Sequence, residues 1–372
     1  MMGRVFVCGM LRSGTTLAQT LLTNHPDMLV VYQPFHQLYV DVKQMFLREH
    51  HIVHSLPLDD GTPAGEDERA QFMAWLRQRR FDATEVQTLA ASATSGKGGG
   101  TPELRDLAAS PGTFAELRDE LHEALAARFA GKRPAVVGSK EILCDEYLPA
   151  LLDAGVKCVL LVRDPRGVIA SANNGSYREM VGDRYPLMML IRLWRKSAAY
   201  WLRFRSDPRV QTIRYEDLVA APDRILADLA RWLGVDPFPA GLAGGALNDH
   251  RGQPWFGNSS FGSKTSVDAR AADAWRQLLP EKECRFVSAC TRWELERLGY
   301  AIADDIGPHD IENFDEDLQG VRPSYLAAHP IDEATRRHEL ERLRSAIHEP
   351  DSAPASRFFL FAERISKAGA TR

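Results

Sequence analysis

Short apolar runs separated by amphipathic stretches set the rhythm of this chain. Residues 5–8, 28–32, 135–138, 157–162 and 210–213 are apolar and too short for buried helices, so they read as strands. Residues 17–22, a segment from about 37, and residues 113–129, 146–154, 187–205 and 216–233 carry apolar side chains at helical spacing, and Gly234 stops the last of them. Trp194 and Trp201, on the long 187–205 helix, are assigned to the core. Asp164 opens a further helix with Pro165 in its first turn, where the missing N–H is harmless. Strands alternating with helices predict an α/β fold: a parallel sheet with helices on both faces and ligands beyond the carboxyl ends of its strands.

Two stretches break the rhythm. Residues 55–112 hold turn-rich segments at 59–65 and 94–102, with a helical stretch at about 66–79 between them. They predict an insertion lying as a lid over the active face, although a loose surface loop has the same composition. Residues 301–372 begin acidic, then show a charged helix at 331–347 and an apolar-charged run at 356–367. They predict a helical extension to a main domain of 1–300, packed on the core or on a second subunit. A homodimer therefore stays open, as does a solvated tail.

Composition narrows the classes. At 372 residues, 44% hydrophobic and 26% charged, the chain can bury a full core. A formal net charge of −4 gives no electrostatic case for nucleic acid. No apolar stretch approaches the ~20 residues that span a bilayer, and the first strand starts too early to leave room for a leader. The five cysteines form no CxxC pair and no Cys/His cluster, so they read as reduced thiols in a cytoplasmic protein without a metal.

Chemistry begins at Gly9-Met10-Leu11-Arg12-Ser13-Gly14-Thr15-Thr16, between the first strand and the first helix. A tight strand-to-helix turn aims backbone N–H groups and the positive helix end at a phosphate. The spacing is that of a GxxxxGK[ST] phosphate loop, but Thr15 stands where the Lys would be. The loop keeps its phosphate site and lacks the cation that reaches the outer phosphates of ATP. A second anion site is suggested by Arg163 at a strand end, followed by Asp164-Pro165-Arg166-Gly167 and by Ser171 about two helical turns on. A guanidinium fork and a hydroxyl at that spacing can converge on one dianion; taken alone, a capped helix with a surface salt bridge explains the segment better.

Together the two segments resemble the nucleotide-binding elements of the sulfotransferases that use 3′-phosphoadenosine 5′-phosphosulfate (PAPS). The [RK]SGTT loop of that family corresponds to Arg12–Thr16, and its R-x7-S element to Arg163 and Ser171. Residues 213–218, IRYEDL, with 231–234, RWLG, are similar to a further family stretch. The resemblance covers about residues 4–300. Arg12, the run Asn24-His25-Pro26-Asp27 and Tyr32-Gln33-Pro34 are more similar to the carbohydrate and tyrosyl-protein branch and its bacterial relatives than to the small-phenol enzymes. The resemblance implies donor contacts from Arg12, Ser13, Gly14, Thr15, Thr16, Arg163, Ser171 and Tyr215, and from Ser259, Ser260 and Lys264 in a segment closing over the nucleotide. Adenosine 3′,5′-bisphosphate (PAP) is the implied product.

The implied reaction is in-line sulfonyl transfer to an acceptor oxygen or nitrogen, with Arg12 and Lys140 as fixed cations and no metal requirement. Two positions depart from the family pattern. Gln33 stands where the carbohydrate branch carries Glu, and Ile142 where the phenol branch carries His. His36 is the nearest titratable alternative base and Glu141 the second, unless the acceptor needs none. Gln33, His36, Trp255 and Phe256 are expected around the acceptor, a small natural product or sugar, free or carried on a protein, in a bacterial biosynthetic role. A P-loop kinase or ATPase and a non-catalytic nucleotide-binding protein are the competing readings.

Overall fold

The computed structural model describes residues 2–52, 66–94, 101–104, 109–131, 133–175, 182–257, 265–348 and 358–362. Strand β1 (Gly3–Gly9), helix α1 (Thr15–Thr23), β2 (Met28–Tyr32) and α2 (His36–Glu49) come first. The insertion contributes α3 (Glu66–Gln78), β3 (Arg80–Phe81), α4 (Ala83–Ala93) and β4 (Gly112–Thr113), β3 and β4 pairing antiparallel. Then follow α5 (Phe114–Phe129), β5 (Val136–Lys140), α6 (Leu148–Asp153), β6 (Lys157–Val162), α7 (Pro165–Asn173), α8 (Leu187–Phe204), β7 (Val210–Arg214), α9 (Tyr215–Ala220) and α10 (Pro222–Leu233). The remaining helices are α11 (Trp275–Leu278), α12 (Glu281–Cys290), α13 (Arg292–Leu298), α14 (His309–Glu312), α15 (Pro323–Ala328) and α16 (Glu333–His348).

Five strands form a wholly parallel sheet in the order β2-β5-β1-β6-β7. Alternate residues of β1 serve opposite faces, as strand geometry demands. Phe6 and Cys8 join Leu38 and Val42 of α2 and Leu117 and Leu121 of α5. Val5 and Val7 join Leu21 and Leu22 of α1 and Leu226 and Leu229 of α10. Both faces are therefore dry, which is why the strands read as continuous apolar runs. Because all five strands run one way, the loops leaving β1, β5, β6 and β7 emerge at one end of the sheet.

The structure moves several expected boundaries. The strand expected at 135–138 continues to Lys140, because β5 pairs on both sides: Ser139 lies opposite Val31 and Phe6, and Lys140 opposite Tyr32 and Val7. The single helical region expected at 216–233 is two helices. Pro222 disfavours helical geometry at the preceding Ala221 (φ −140°, ψ 59°) and starts a new helix. The helix expected at 146–154 opens as a 3-10 turn, Asp145–Tyr147, before α6. Trp194 is buried, whereas Trp201 is half-buried.

The described part of the insertion is core. Phe72, Leu76, Phe81, Val86 and Leu89 join the cluster formed by α2, α5 and α6, and Ser92 of α4 donates a hydrogen bond to Asp41 of α2. Residues 53–65, 95–100 and 105–108, which would form much of the expected lid, lie outside the described residues.

The extension packs on the main domain through a third cluster, in which Leu343 and Ala346 of α16 meet Trp194, Phe286 and Trp293. Arg195 of α8 donates to Glu339 at 2.7 Å, with side chains 2% and 1% exposed. Arg342 pairs with Glu294 and donates to the Cys290 carbonyl at 2.7 Å. The Phe359 ring stacks on Trp293 at 4.5 Å. Leaving one partner of a buried pair uncompensated costs about 3–5 kcal/mol, against ~1 kcal/mol or less at the surface. Glu339→Leu is therefore expected to lower the unfolding free energy of the whole chain by about 3–5 kcal/mol in urea titrations followed by tryptophan fluorescence.

Candidate active site

The turn after β1 uses two residues with positive φ, Arg12 (65°) and Gly14 (86°), before α1 begins at Thr15. A Cβ at Gly14 would overlap the Tyr215 ring, so this position needs glycine for conformation and for space. No side chain caps α1 and no acidic residue lies in its first turn. The helix dipole thus meets no acidic side chain in the first turn of α1 itself. Ser13, Thr15 and Thr16 are all buried, and the Ser13 hydroxyl has no hydrogen-bond partner among the described residues.

The second anion element folds against this loop. Asp164 caps α7 by accepting from the Arg166 N–H at 2.9 Å and from the Arg166 guanidinium at 2.8 and 2.6 Å. That ion pair frees Arg163 from Asp164. The Arg163 guanidinium donates to the Arg12 carbonyl at 3.1 Å and to the Ala271 carbonyl at 2.8 Å, and lies 4.4 Å from the Tyr215 ring centroid. Its Nε has no hydrogen-bond partner, and a Cβ at Gly167 would stand only 2.9 Å from it. Arg163 is 4% exposed, and its described partners are carbonyls and an aromatic face rather than a carboxylate. Arg12 Nε donates to Ser171 Oγ at 3.0 Å. Arg12, Arg163, Ser171 and Tyr215 thus form one contiguous cluster, and a buried cation without counter-charge fits an anionic phosphate.

Lys140, at the carboxyl end of β5, donates to Gln33 Oε1 at 2.8 Å, with its ammonium 4.2 Å from the Tyr32 ring centroid. Gln33 has φ 40°, and its N–H donates to the Lys140 carbonyl at 2.8 Å, so this turn is bonded to Lys140 at both ends. Burial lowers the Lys140 pKa to about 7; nearby Glu141 opposes that shift and Arg12 adds to it. Glu141 is fully enclosed. Its Oε1 accepts from the Phe35 N–H at 3.0 Å, and its Oε2 has no hydrogen-bond partner. Burial raises the Glu141 pKa to about 8. His36, the first residue of α2, is lowered to about 4 by burial and by Lys140. Its Nδ1 is buried without a hydrogen-bond partner. His36 is thus an uncharged imidazole at neutral pH.

The other expected positions fall elsewhere or outside view. Trp255 packs on the cluster that holds α1 and α10, and Phe256 is 63% exposed. Ser259, Ser260 and Lys264 lie outside the described residues. Three more residues hold the Arg163 turn; Glu216 lies in the IRYEDL stretch, whereas Trp194 and Tyr300 carried no sequence signal for this part. Trp194 donates its indole N–H to the Arg163 carbonyl at 2.8 Å, Glu216 accepts from the Asp164 N–H at 3.0 Å, and Tyr300 donates to Glu216 at 2.8 Å. Trp194 reads simply as apolar, and Tyr300 lies far along the chain from both phosphate motifs.

The model of the sulfotransferase family matches residues 4–240. The chain belongs to the sulfotransferase family. This sulfotransferase is 27% identical to human carbohydrate sulfotransferase 1 over 176 residues, 40% of this chain and 39% of the relative. It is 26% identical to the nodulation protein NoeE of Sinorhizobium fredii (strain NBRC 101917 / NGR234) over 315 residues, 79% of this chain and 65% of that protein. The chain therefore spans less than two thirds of the length of the curated relatives it matches. A solved sulfotransferase domain from the curacin biosynthetic pathway aligns with 82% of this chain and 99% of its own, at 23% identity and a TM-score of 0.45. Among the described residues no group of His, Cys, Asp and Glu is arranged to hold a metal ion, and no helix is long and apolar enough to cross a membrane.

The neutral Gln33 leaves Lys140 without a carboxylate at its ammonium. Gln33→Glu is expected to raise the Lys140 pKa by about 1–3 units, since an opposite charge at hydrogen-bond distance favours the ionised form. Side-chain nitrogen NMR of the titrating lysine measures the shift.

Proposed function

We propose that this sulfotransferase takes PAPS as donor and transfers its sulfonyl group to a hydroxyl, or to an amine or amide, of a small natural product or sugar. The observation that carries this reading is the buried Arg163 guanidinium beside Gly167, joined through Arg12 and Ser171 to the uncapped start of α1. It supports two phosphate sites side by side, a 3′-phosphate at Arg163 and Ser171 and a 5′-phosphate at Ser13, Gly14, Thr15 and Thr16. A nucleoside triphosphate gives the second site no occupant.

When bound, PAPS supplies an activated sulfonyl group whose leaving group is the 5′-phosphate of PAP. The chain contributes position and charge. Helix α1 and the buried hydroxyls hold phosphate oxygens, while Arg12 and Lys140 set positive charge where negative charge develops. His36 accepts the proton lost by the acceptor, which requires a neutral imidazole. Glu141, enclosed and bonded to the Phe35 N–H, anchors the turn that carries His36 instead of exchanging protons with substrate. All five cysteines are free, and we place the protein in the reducing cytoplasm.

Three measurements test this. PAP is expected to raise the melting temperature while ATP-magnesium does not, because only a ligand of the folded state stabilises it, by about 2.7 kcal/mol at a hundred times Kd. Radiolabelled sulfonyl transfer should fall by ~10²–10⁴ in His36→Ala with PAP affinity retained, and unchanged turnover would remove His36 from the mechanism. An anion binds the protonated form of Lys140, whose pKa is about 7 in the free protein. PAP affinity should therefore be flat below that pH and fall above it by up to about tenfold per pH unit. Lys140→Met should abolish the slope.

A further inference from the structure

The peptide that joins Arg163 to Asp164 is held from both sides. The Trp194 indole N–H donates to its carbonyl at 2.8 Å, and its own N–H donates to Glu216 Oε1 at 3.0 Å. Glu216 is held in turn: its Oε2 accepts from the Tyr300 hydroxyl at 2.8 Å. Tyr300 follows Gly299, which ends α13 with φ 71°. Its ring lies 4.2 Å from the Arg214 guanidinium, and the tyrosine is 8% exposed. The next residue, Ala301, accepts from Arg166 at 2.9 Å, and Arg166 is the residue that occupies both oxygens of Asp164. Two consecutive residues, Tyr300 and Ala301, therefore grip both ends of the turn from which Arg163 projects.

We propose that Tyr300 is a positioning residue for the 3′-phosphate of the donor, acting through Glu216 on the Arg163–Asp164 peptide. The inference rests on the donor reading above. Removing the hydroxyl leaves Glu216 Oε2 without its donor in a mostly buried site. The carboxylate then gains by turning toward water, and the Asp164 N–H loses its acceptor. Arg163 keeps its charge but no longer has a fixed origin, so a dianion at its guanidinium meets a mobile partner. The 5′-phosphate side is built on α1, and no hydrogen bond among the described residues joins it to Tyr300.

Calorimetric titration of the full chain with PAP and with adenosine 5′-monophosphate, which lacks the 3′-phosphate, separates these sites. Tyr300→Phe is expected to raise Kd for PAP by about tenfold, the scale of one hydrogen bond to a charged group. Its Kd for the monophosphate should stay within about twofold of wild type, and with PAPS, KM rises while kcat holds. Should Tyr300→Phe fail to fold, Glu216→Gln carries the same expectation of selective loss. Equal weakening of both nucleotides, or of neither, would overturn the role of Tyr300. If the wild-type chain binds both nucleotides equally well, the donor reading fails first and the positioning role falls with it.

Discussion

A buried guanidinium with no carboxylate among its described partners is the constraint on which this site depends. Arg163 sits at the end of a central strand, under the ring of Tyr215 and against the carbonyls of Arg12 and Ala271. Taking such a charge out of water is expensive unless something compensates it. Carbonyl dipoles and an aromatic face offset part of that cost and leave the site hungry for negative charge. Nearly every feature nearby serves this arrangement. Asp164 is occupied by Arg166, so it does not neutralise Arg163. Gly167 keeps space beside Nε, and Gly14 lets Tyr215 come close.

Burial governs the titration behaviour at the end of β5. It pulls the proton off Lys140, Arg12 adds repulsion, and Glu141 offsets part of both, while the hydrogen-bonded neighbour Gln33 is an uncharged amide. His36 feels Lys140 and stays neutral. A carboxylate at position 33 would relieve Lys140. Glu141 anchors the turn at the start of the helix that carries the neutral imidazole.

Much of this was legible in the chain. The strand at 157–162 appears with the expected bounds, because its five consecutive buried residues, 158–162, leave a continuous apolar run. The loop at 9–16 and the Arg163/Ser171 pair were visible as motifs, since a phosphate turn needs glycine and hydroxyls at fixed spacing. What escaped reading depends on pairing across the sheet or on distant chain. Lys140 belongs to a strand only because β1 and β2 flank it. The first insertion helix, α3, looks like surface from its charge, yet its Phe72 and Leu76 join Val86 and Leu89 of α4 in the core beside α2. The split at Ala221 follows a rule about proline that the apolar periodicity overrides on inspection. Tyr300 and Trp194 reach the Arg163–Asp164 peptide through single hydrogen bonds, which no local pattern encodes.

The extension has a consequence for the order in which the molecule is assembled. Arg195 waits for Glu339, 144 residues further along, and Trp293 waits for Phe359. On a ribosome those partners emerge well after the sheet. The long helix after β6 carries Trp194, which holds the Arg163 carbonyl, so one flank of the Arg163 turn rests on a helix whose own buried charge is uncompensated until α16 has been made. Long-range closure of this kind is slow. The nascent chain can thus collapse its sheet early, while the turn that carries Arg163 takes its final form only once the closing helices have docked.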